Sequence, residues 1–253
     1  MVANAEDPYD ICDKRKSMLT SIKAVIFDLD GTLLDTESLS DQAILAVFDR
    51  DLPSYVDRSL LPWECKRQLL GLRGSEWAPI MINYAHRHWN IDRDHLPTPD
   101  ELWLKWENHL NEYCKHVQLC QGSMDIVNNF SKQKIPMAIA TSSRAAAVAK
   151  KRILHEDMFS KIHVIVTGDD PDVKSGKPSP DIYIEAAKRL NVDPKECLVF
   201  EDALSGVKSG KAAGCFVVAI PDIRFDETDR TIFANEADLV IQSLSEFDVS
   251  ILK

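Results

Sequence analysis

The chain has no apolar run long enough to cross a bilayer. No such run exceeds six residues, as in Cys215 to Ile220, whereas a spanning helix needs about 20, so no membrane segment is expected. A basic stretch is missing too: no Lys/Arg run exceeds three residues, as in Lys14-Arg15-Lys16, and 30 Lys+Arg against 40 Asp+Glu leave a formal net charge of −10. Neutralising a nucleic-acid backbone takes concentrated positive charge, so nucleic acid is excluded as a partner. The six Cys form no C-x-x-C pair. Cys197 and Cys215 fall in apolar, strand-like runs, which suits small buried hydrophobes in a reducing compartment. Met1 to Thr20 carries Glu6, Asp7, Asp10 and Asp13 and lacks both an apolar h-region and an Arg-rich amphipathic pattern. Residues 1–20 therefore read as a flexible lead-in rather than a signal or transit peptide, and a cytoplasmic location is expected. With 9 Gly and 12 Pro in 253 residues, 45% apolar and 28% charged, disordered and fibrous classes drop out. One large domain or two of unequal size fit this length.

What is present is a rhythm. Lys23-Ala24-Val25-Ile26-Phe27-Asp28 is a short β-branched apolar run ending in acids and Gly31, the pattern of a strand buried on both faces. Similar runs recur at 136–140, 162–166, 197–200, 215–219 and 238–241. Helical patterns lie between most of them, at Met124 to Lys132, Ser143 to Leu154, Pro180 to Leu190 and Leu204 to Ala213, the last ended by Gly214. Strand then helix, repeated, predicts an α/β fold with a Rossmann-like, doubly wound parallel sheet. The stretch from about Glu37 to Lys115 breaks the rhythm. It holds all five Trp and, with His116 just past its end, five of the seven His, and four helix-like pieces (Glu37 to Arg50, Pro62 to Leu70, Ser75 to Trp89, Pro99 to Lys115) without a strand-like run. An inserted all-helical domain over 36–117, splitting a core of 21–35 and 118–253, is the simplest organisation.

Ligands of an open α/β sheet lie outside the carboxyl ends of its strands, and four of those ends are polar here. Asp28-Leu29-Asp30-Gly31-Thr32 offers two carboxylates one residue apart, able to divide nucleophilic and proton-transfer work if a cation relieves their repulsion. An isolated D-x-D more often just opens a loop. Thr141-Ser142-Ser143 puts hydroxyls and free N–H groups at a helix start, which suits a phosphate, although taken alone the triplet reads first as an N-cap. Lys177 sits between Gly176 and Pro178 in a stiffened turn, which suggests deliberate placement; Lys174 reads as a solvated charge. Glu201-Asp202 ends a buried strand, where charges need partners or a metal. Hard carboxylate oxygens suit Mg²⁺, and Asp202 can instead cap the following helix. Chance rarely assembles all four ends, and together they match phosphoryl transfer, where catalysis is positioning plus charge neutralisation.

On these residues the chain resembles the haloacid dehalogenase superfamily, in the branch with a helical cap inserted after the first strand. Its motifs run in order as Asp28-Leu29-Asp30-Gly31-Thr32, Thr141 with Ser142, Lys177 in Gly-Lys-Pro, and Glu201-Asp202. Gly168 to Val173, Gly176-Lys177-Pro178 and Val199 to Ala203 look most like the pseudouridine-5′-phosphatase and plant glycerol-3-phosphatase group. The resemblance implies that Asp28 forms an aspartyl-phosphate and that Asp30 is acid for the leaving alcohol, then base for water. It places Mg²⁺ on Asp28, the Asp30 carbonyl and Asp202, with Glu201 at or near it, and phosphoryl oxygens on Thr141, Ser142 and Lys177. Asp30 favours phosphate esters over haloacids, which have no alkoxide to protonate.

The helical insertion would choose the substrate, expected to be a small phosphorylated metabolite: a sugar, polyol or nucleoside monophosphate. Arg73, in Gly71-Leu72-Arg73-Gly74, is a candidate for the substrate's remote group and equally an exposed loop Arg. Phosphonate cleavage in this superfamily uses a cap lysine, but nothing in the sequence marks Lys66 or Lys105 as buried or activated. Trp77, Trp89, Trp103 and Trp106 read as core. His86 and His88, two apart, face different ways and make a poor metal pair. A monomer rather than an obligate oligomer is expected. The rival readings are a β-phosphoglucomutase-like isomerase, which returns phosphate to a sugar, and a non-catalytic binding protein that keeps the fold.

Overall fold

The computed structural model describes residues 19–69 and 74–252. Most of the expected lead-in and the candidate Arg73 therefore lie outside the described residues. The chain divides into two compact units: Leu34–Gln118 with Ala149–Leu154 form one, and the rest forms the other.

The larger unit is built on six parallel strands, β1 (Ala24–Phe27), β2 (Met137–Ala140), β3 (Val164–Val166), β4 (Cys197–Glu201), β5 (Phe216–Ala219) and β6 (Leu239–Val240), in the order β3-β2-β1-β4-β5-β6. This is the doubly wound arrangement, whose crevice opens where the strand order reverses beside β1. Strands β1, β2, β4 and β5 are buried throughout, which is why they read as continuous apolar runs rather than alternating ones. Alternation still sorts their side chains. Phe27 and Phe200 stack at 5.2 Å and meet Phe130 and Phe247 on one face. Ala24, Ile26, Ala138 and Val199 pack on the other with Ile182, Tyr183 and Val207. Register then decides the site. Phe27 pairs with Ile139 on one side and Phe200 on the other, so the next residues of β1, β2 and β4 all emerge at one level.

The helices of this unit are α5 (Ser123–Lys132), the first turn of α6 (Ala145–Leu154), whose residues 149–154 belong to the other unit, a single turn α7 (Glu156–Phe159), α8 (Asp181–Leu190), α9 (Leu204–Ala213) and α10 (Glu227–Glu236). Helix α9 stops where the sequence predicts, at Gly214 with φ 90°, the left-handed turn that glycine makes without strain. Helix α10 carries no apolar stripe that would announce it; only Phe233 and Asp229 are buried, and Asp226 caps it by accepting from the Asp229 N–H.

The other unit contains α1 (Glu37–Val47), α2 (Trp63–Leu69), α3 (Gly74–His88) and α4 (Pro99–Tyr113). Helix α4 begins at a capping box, Thr98 with Glu101, followed by Pro99. Trp77 and Trp89 are core, with Trp103 and Trp106 packed against them. His86 Nδ1 lies 3.0 Å from the Ile91 carbonyl and His88 stacks on Tyr84, so both belong to the packing. The sequence marks no buried lysine here, and the structure corrects that. Lys66 is 4% exposed, and its Nζ stands 2.6 Å from both Glu37 Oε2 and Asp41 Oδ1. Burial by itself would push its ammonium down; Glu37 and Asp41 outweigh that and hold it above the ordinary lysine value. A Schiff-base lysine needs the reverse, a lowered pKa, so Lys66 is an ion-pair residue. No helix among the described residues is long and apolar enough to cross a membrane.

Candidate active site

The carboxyl ends of β1, β2 and β4 bring together residues far apart in the chain. Asp28 follows Phe27 and is held by its N–H on the Phe200 carbonyl, 2.9 Å. Lys177, on the turn leading to α8, reaches across the strand ends with its side chain 6% exposed. Its Nζ donates to Asp28 Oδ1 and Glu201 Oε1, both at 2.5 Å, and to the Ala140 carbonyl at 3.1 Å. Three donor positions meet three acceptors, so the ammonium is saturated and fixed. Its pKa is raised, the two carboxylates overcoming the downward push of burial. Lys174, by contrast, is exposed.

Glu201 is 1% exposed and fully engaged. Beyond Lys177, its Oε1 accepts from the Tyr183 hydroxyl at 2.8 Å, and its Oε2 accepts from the Ala203 N–H at 3.0 Å. The carboxylate is thus seated at the N-terminal end of α9, where the helix dipole favours negative charge. That seat requires Gly206: a Cβ there would stand 1.6 Å from Glu201 Oε1. Gly→Ala inside a helix ordinarily gains up to about 1 kcal/mol. Here Gly206→Ala is expected to cost about 3 kcal/mol, the upper end for overpacking, and to depress activity by displacing the partner of Lys177. Thermal unfolding and turnover of G206A check both.

Asp202 is half-buried, and its Oδ1 accepts from Thr32 Oγ1 at 2.9 Å. Gly31, at φ 91°, is required in the same way, since a Cβ would stand 2.3 Å from Asp202 Oδ2. Asp28, Glu201 and Asp202 offer carboxylate oxygens all within 4.8 Å of one another. Three acids against one ammonium is an unbalanced set. Burial first, then Glu201 and Asp30, push the Asp28 carboxyl up to about 8 against the downward pull of Lys177. A hard divalent cation fits this oxygen cluster and restores the balance.

Asp30 sits on the adjacent side. Its Oδ2 accepts from Ser143 Oγ at 2.6 Å and from Thr141 Oγ1 at 3.3 Å, while Thr141 Oγ1 also accepts from the Ser143 N–H at 3.0 Å. Thr141 is buried and Ser142 exposed. Of the hydroxyl triplet, then, Thr141 and Ser143 face Asp30; Ser142 was singled out in the sequence for the phosphoryl group and Ser143 was not. Thr32, Ser143, Tyr183 and Gly206 are the residues that sequence reasoning did not single out. The i, i+2 alternation at a strand end offers a signal for Ser143 only.

Residues 22–214 match the family model described as haloacid dehalogenase-like hydrolase. The chain belongs to the haloacid dehalogenase-like hydrolases. Within them it is 36% identical over 233 residues to (DL)-glycerol-3-phosphatase 2 of Arabidopsis thaliana, covering 90% of this chain and 89% of the relative. It is 32% identical over 240 residues to a probable pseudouridine-5′-phosphatase of Drosophila melanogaster, covering 91% and 93%. Among solved structures it resembles CbbY from Rhodobacter sphaeroides in complex with phosphate, with TM-score 0.65, 29% identity, and coverage of 89% of this chain and 96% of that one. The six-stranded parallel sheet with its helical insertion is the fold of this family.

Proposed function

We propose that this hydrolase is a Mg²⁺-dependent phosphatase of small phosphomonoesters, a sugar, polyol or nucleoside monophosphate, acting through a phosphorylated Asp28. The observation that carries the reading is the pairing of Asp28 with Lys177 at 2.5 Å, with a second carboxylate, Asp30, two residues on and separately held by Ser143 and Thr141. Relatives named for glycerol 3-phosphate and pseudouridine 5′-phosphate support the substrate class.

Asp28 and Asp202, with the Asp30 carbonyl, would hold Mg²⁺; Glu201 stands beside them, committed to Lys177. When bound, the cation supplies charge neutralisation at the phosphoryl oxygens and between the carboxylates. An Asp28 oxygen attacks phosphorus, and the P–O bond to the leaving alcohol breaks. Lys177 and the Thr141 hydroxyl take up charge on the transferring group. Asp30 gives its proton to the departing alkoxide, then removes one from the water that attacks the phosphorus of the acyl phosphate, freeing phosphate and Asp28. Ser143 suits both duties, because a hydroxyl donates to an ionised carboxylate and accepts from a protonated one. The helical unit is the proposed source of substrate choice.

The test is phosphate release from a panel of glycerol, hexose and pseudouridine phosphates with Mg²⁺ and with chelator. Release is expected only with Mg²⁺. Phosphate kept on a sugar rather than released would move the assignment to the mutase reading, and inertness towards all of them to a binding role. Asp30→Asn refines the mechanism. Hydrolysis of alkyl phosphates should fall by about 10²–10⁴-fold, the size of a general-acid contribution. p-Nitrophenyl phosphate, whose leaving group needs no proton, should still give a burst of one nitrophenolate per active site before stalling. An Asp30→Asn enzyme equally slowed on both esters, without a burst, would contradict that role.

A further inference from the structure

Among the described residues Tyr183 is the largest fully buried side chain, and its hydroxyl points into the acidic cluster rather than into apolar packing. The site chemistry described above does not use it. Its environment is specific. The hydroxyl donates to Glu201 Oε1 at 2.8 Å, the same oxygen that receives Lys177 at 2.5 Å, and the Lys177 ammonium stands 5.1 Å from the centre of the Tyr183 ring. That separation is within cation–π range. The residue thus contacts both members of the ion pair that steers Asp28.

We infer that Tyr183 is a positioning residue for the phosphoryl site: by occupying one lone pair of Glu201 Oε1, it sets how far that carboxylate draws Lys177 away from Asp28. This rests on the phosphatase reading for the role of Lys177, and on geometry alone for the Tyr183–Glu201–Lys177 chain. Without the hydroxyl, Glu201 Oε1 has a vacant acceptor position in a site it shares with the ammonium. The Lys177 ammonium is the charged donor already on that oxygen. With Oε1 no longer shared, Glu201 should hold Lys177 more strongly and weaken its contact with Asp28, and with it the hold on a phosphoryl oxygen. Phe keeps the ring and its packing, so the change removes the hydrogen bond and little else.

The experiment compares the full chain with Tyr183→Phe, by calorimetric titration with inorganic phosphate in the presence of Mg²⁺, alongside thermal unfolding and p-nitrophenyl phosphate turnover. We expect Y183F to fold, to bind phosphate at unchanged stoichiometry with a dissociation constant raised about tenfold, the scale of one hydrogen bond to a charged group, and to lose kcat/KM in step. A role in stability alone would lower the stoichiometry and leave the dissociation constant where it was. Glu201→Gln closes a double-mutant cycle: if Tyr183 acts through Glu201, Y183F adds little in that background. An unchanged dissociation constant, full additivity with E201Q, or a Y183F chain that does not fold would each overturn the proposal, the last by assigning the hydroxyl to stability. A wild-type chain that binds phosphate but hydrolyses no ester would refute the phosphatase reading while leaving the binding comparison decisive. One that does not bind phosphate would overturn both.

Discussion

Asp28→Asn should abolish turnover, by about 10⁴-fold or more, while leaving the protein folded. The carboxylate oxygen is the group that forms the bond to phosphorus, and an amide oxygen at the same place is too weak a nucleophile to replace it; losing the covalent route removes the reaction rather than slowing a step. The stability side follows from the charges around it. Asp28 is buried beside Glu201 and the half-buried Asp202 in a cluster whose carboxylate oxygens lie within 4.8 Å of one another, and Lys177 already pairs with Glu201. Burial and the neighbouring acids hold the Asp28 carboxyl far above its ordinary value, up to about 8, so an ionised Asp28 is disfavoured in the metal-free fold. A neutral isostere removes that repulsion. In chelator at neutral pH, the melting temperature of D28N should equal or exceed that of wild type, and the Mg²⁺-induced rise in melting temperature should be smaller in D28N. Near wild-type turnover in D28N would refute the mechanism; a collapse in melting temperature would refute the electrostatic account.

The second large effect belongs to the helical unit. Lys66→Ala should destabilise the protein by about 3–5 kcal/mol, the usual cost of breaking a buried ion pair by removing one partner. Asp41 is 0% exposed and Lys66 4%, with Glu37 joining at 2.6 Å. Taking away the ammonium leaves Asp41 buried and brings two carboxylates face to face across the gap. Lys66→Met, which keeps the volume, should lose nearly as much, because charge rather than packing is missing. Pairing Lys66→Met with Asp41→Leu should recover a substantial part, since neutralising both sides of a buried pair is often tolerated. Urea unfolding of the three variants measures this. Equal stability of K66M and wild type would show that the pair contributes nothing.

How legible each feature was follows from its chemistry. Strands β1, β2, β4 and β5 were plain because both faces are buried, and such strands announce themselves as unbroken apolar runs such as Ala24 to Phe27. Their polar ends followed directly, since the residue after each run is where an open sheet binds ligands. Helix α9 and its stop at Gly214 were legible because capping is local. Helix α10 was not, because its burial rests on Phe233 and one acid rather than on a repeating stripe.

By itself, then, the sequence determined the doubly wound sheet, the helical insertion, and the four polar strand ends carrying Asp28, Asp30, Thr141, Lys177, Glu201 and Asp202. Each of these depends on local pattern or on a motif a few residues long. Tertiary structure alone decided that Ser143 rather than Ser142 faces Asp30, 113 positions away, and that Tyr183 reaches Glu201. It also decided that Lys66 is buried against Asp41 and that Gly206 makes room for a carboxylate. The Ser143–Asp30 and Tyr183–Glu201 contacts join segments that the strand order of the sheet brings together, whereas Lys66 of α2 meets Asp41 of α1. Apart from the i, i+2 alternation that points to Ser143, these contacts depend on which elements pack together, and a local pattern a few residues long does not carry that information.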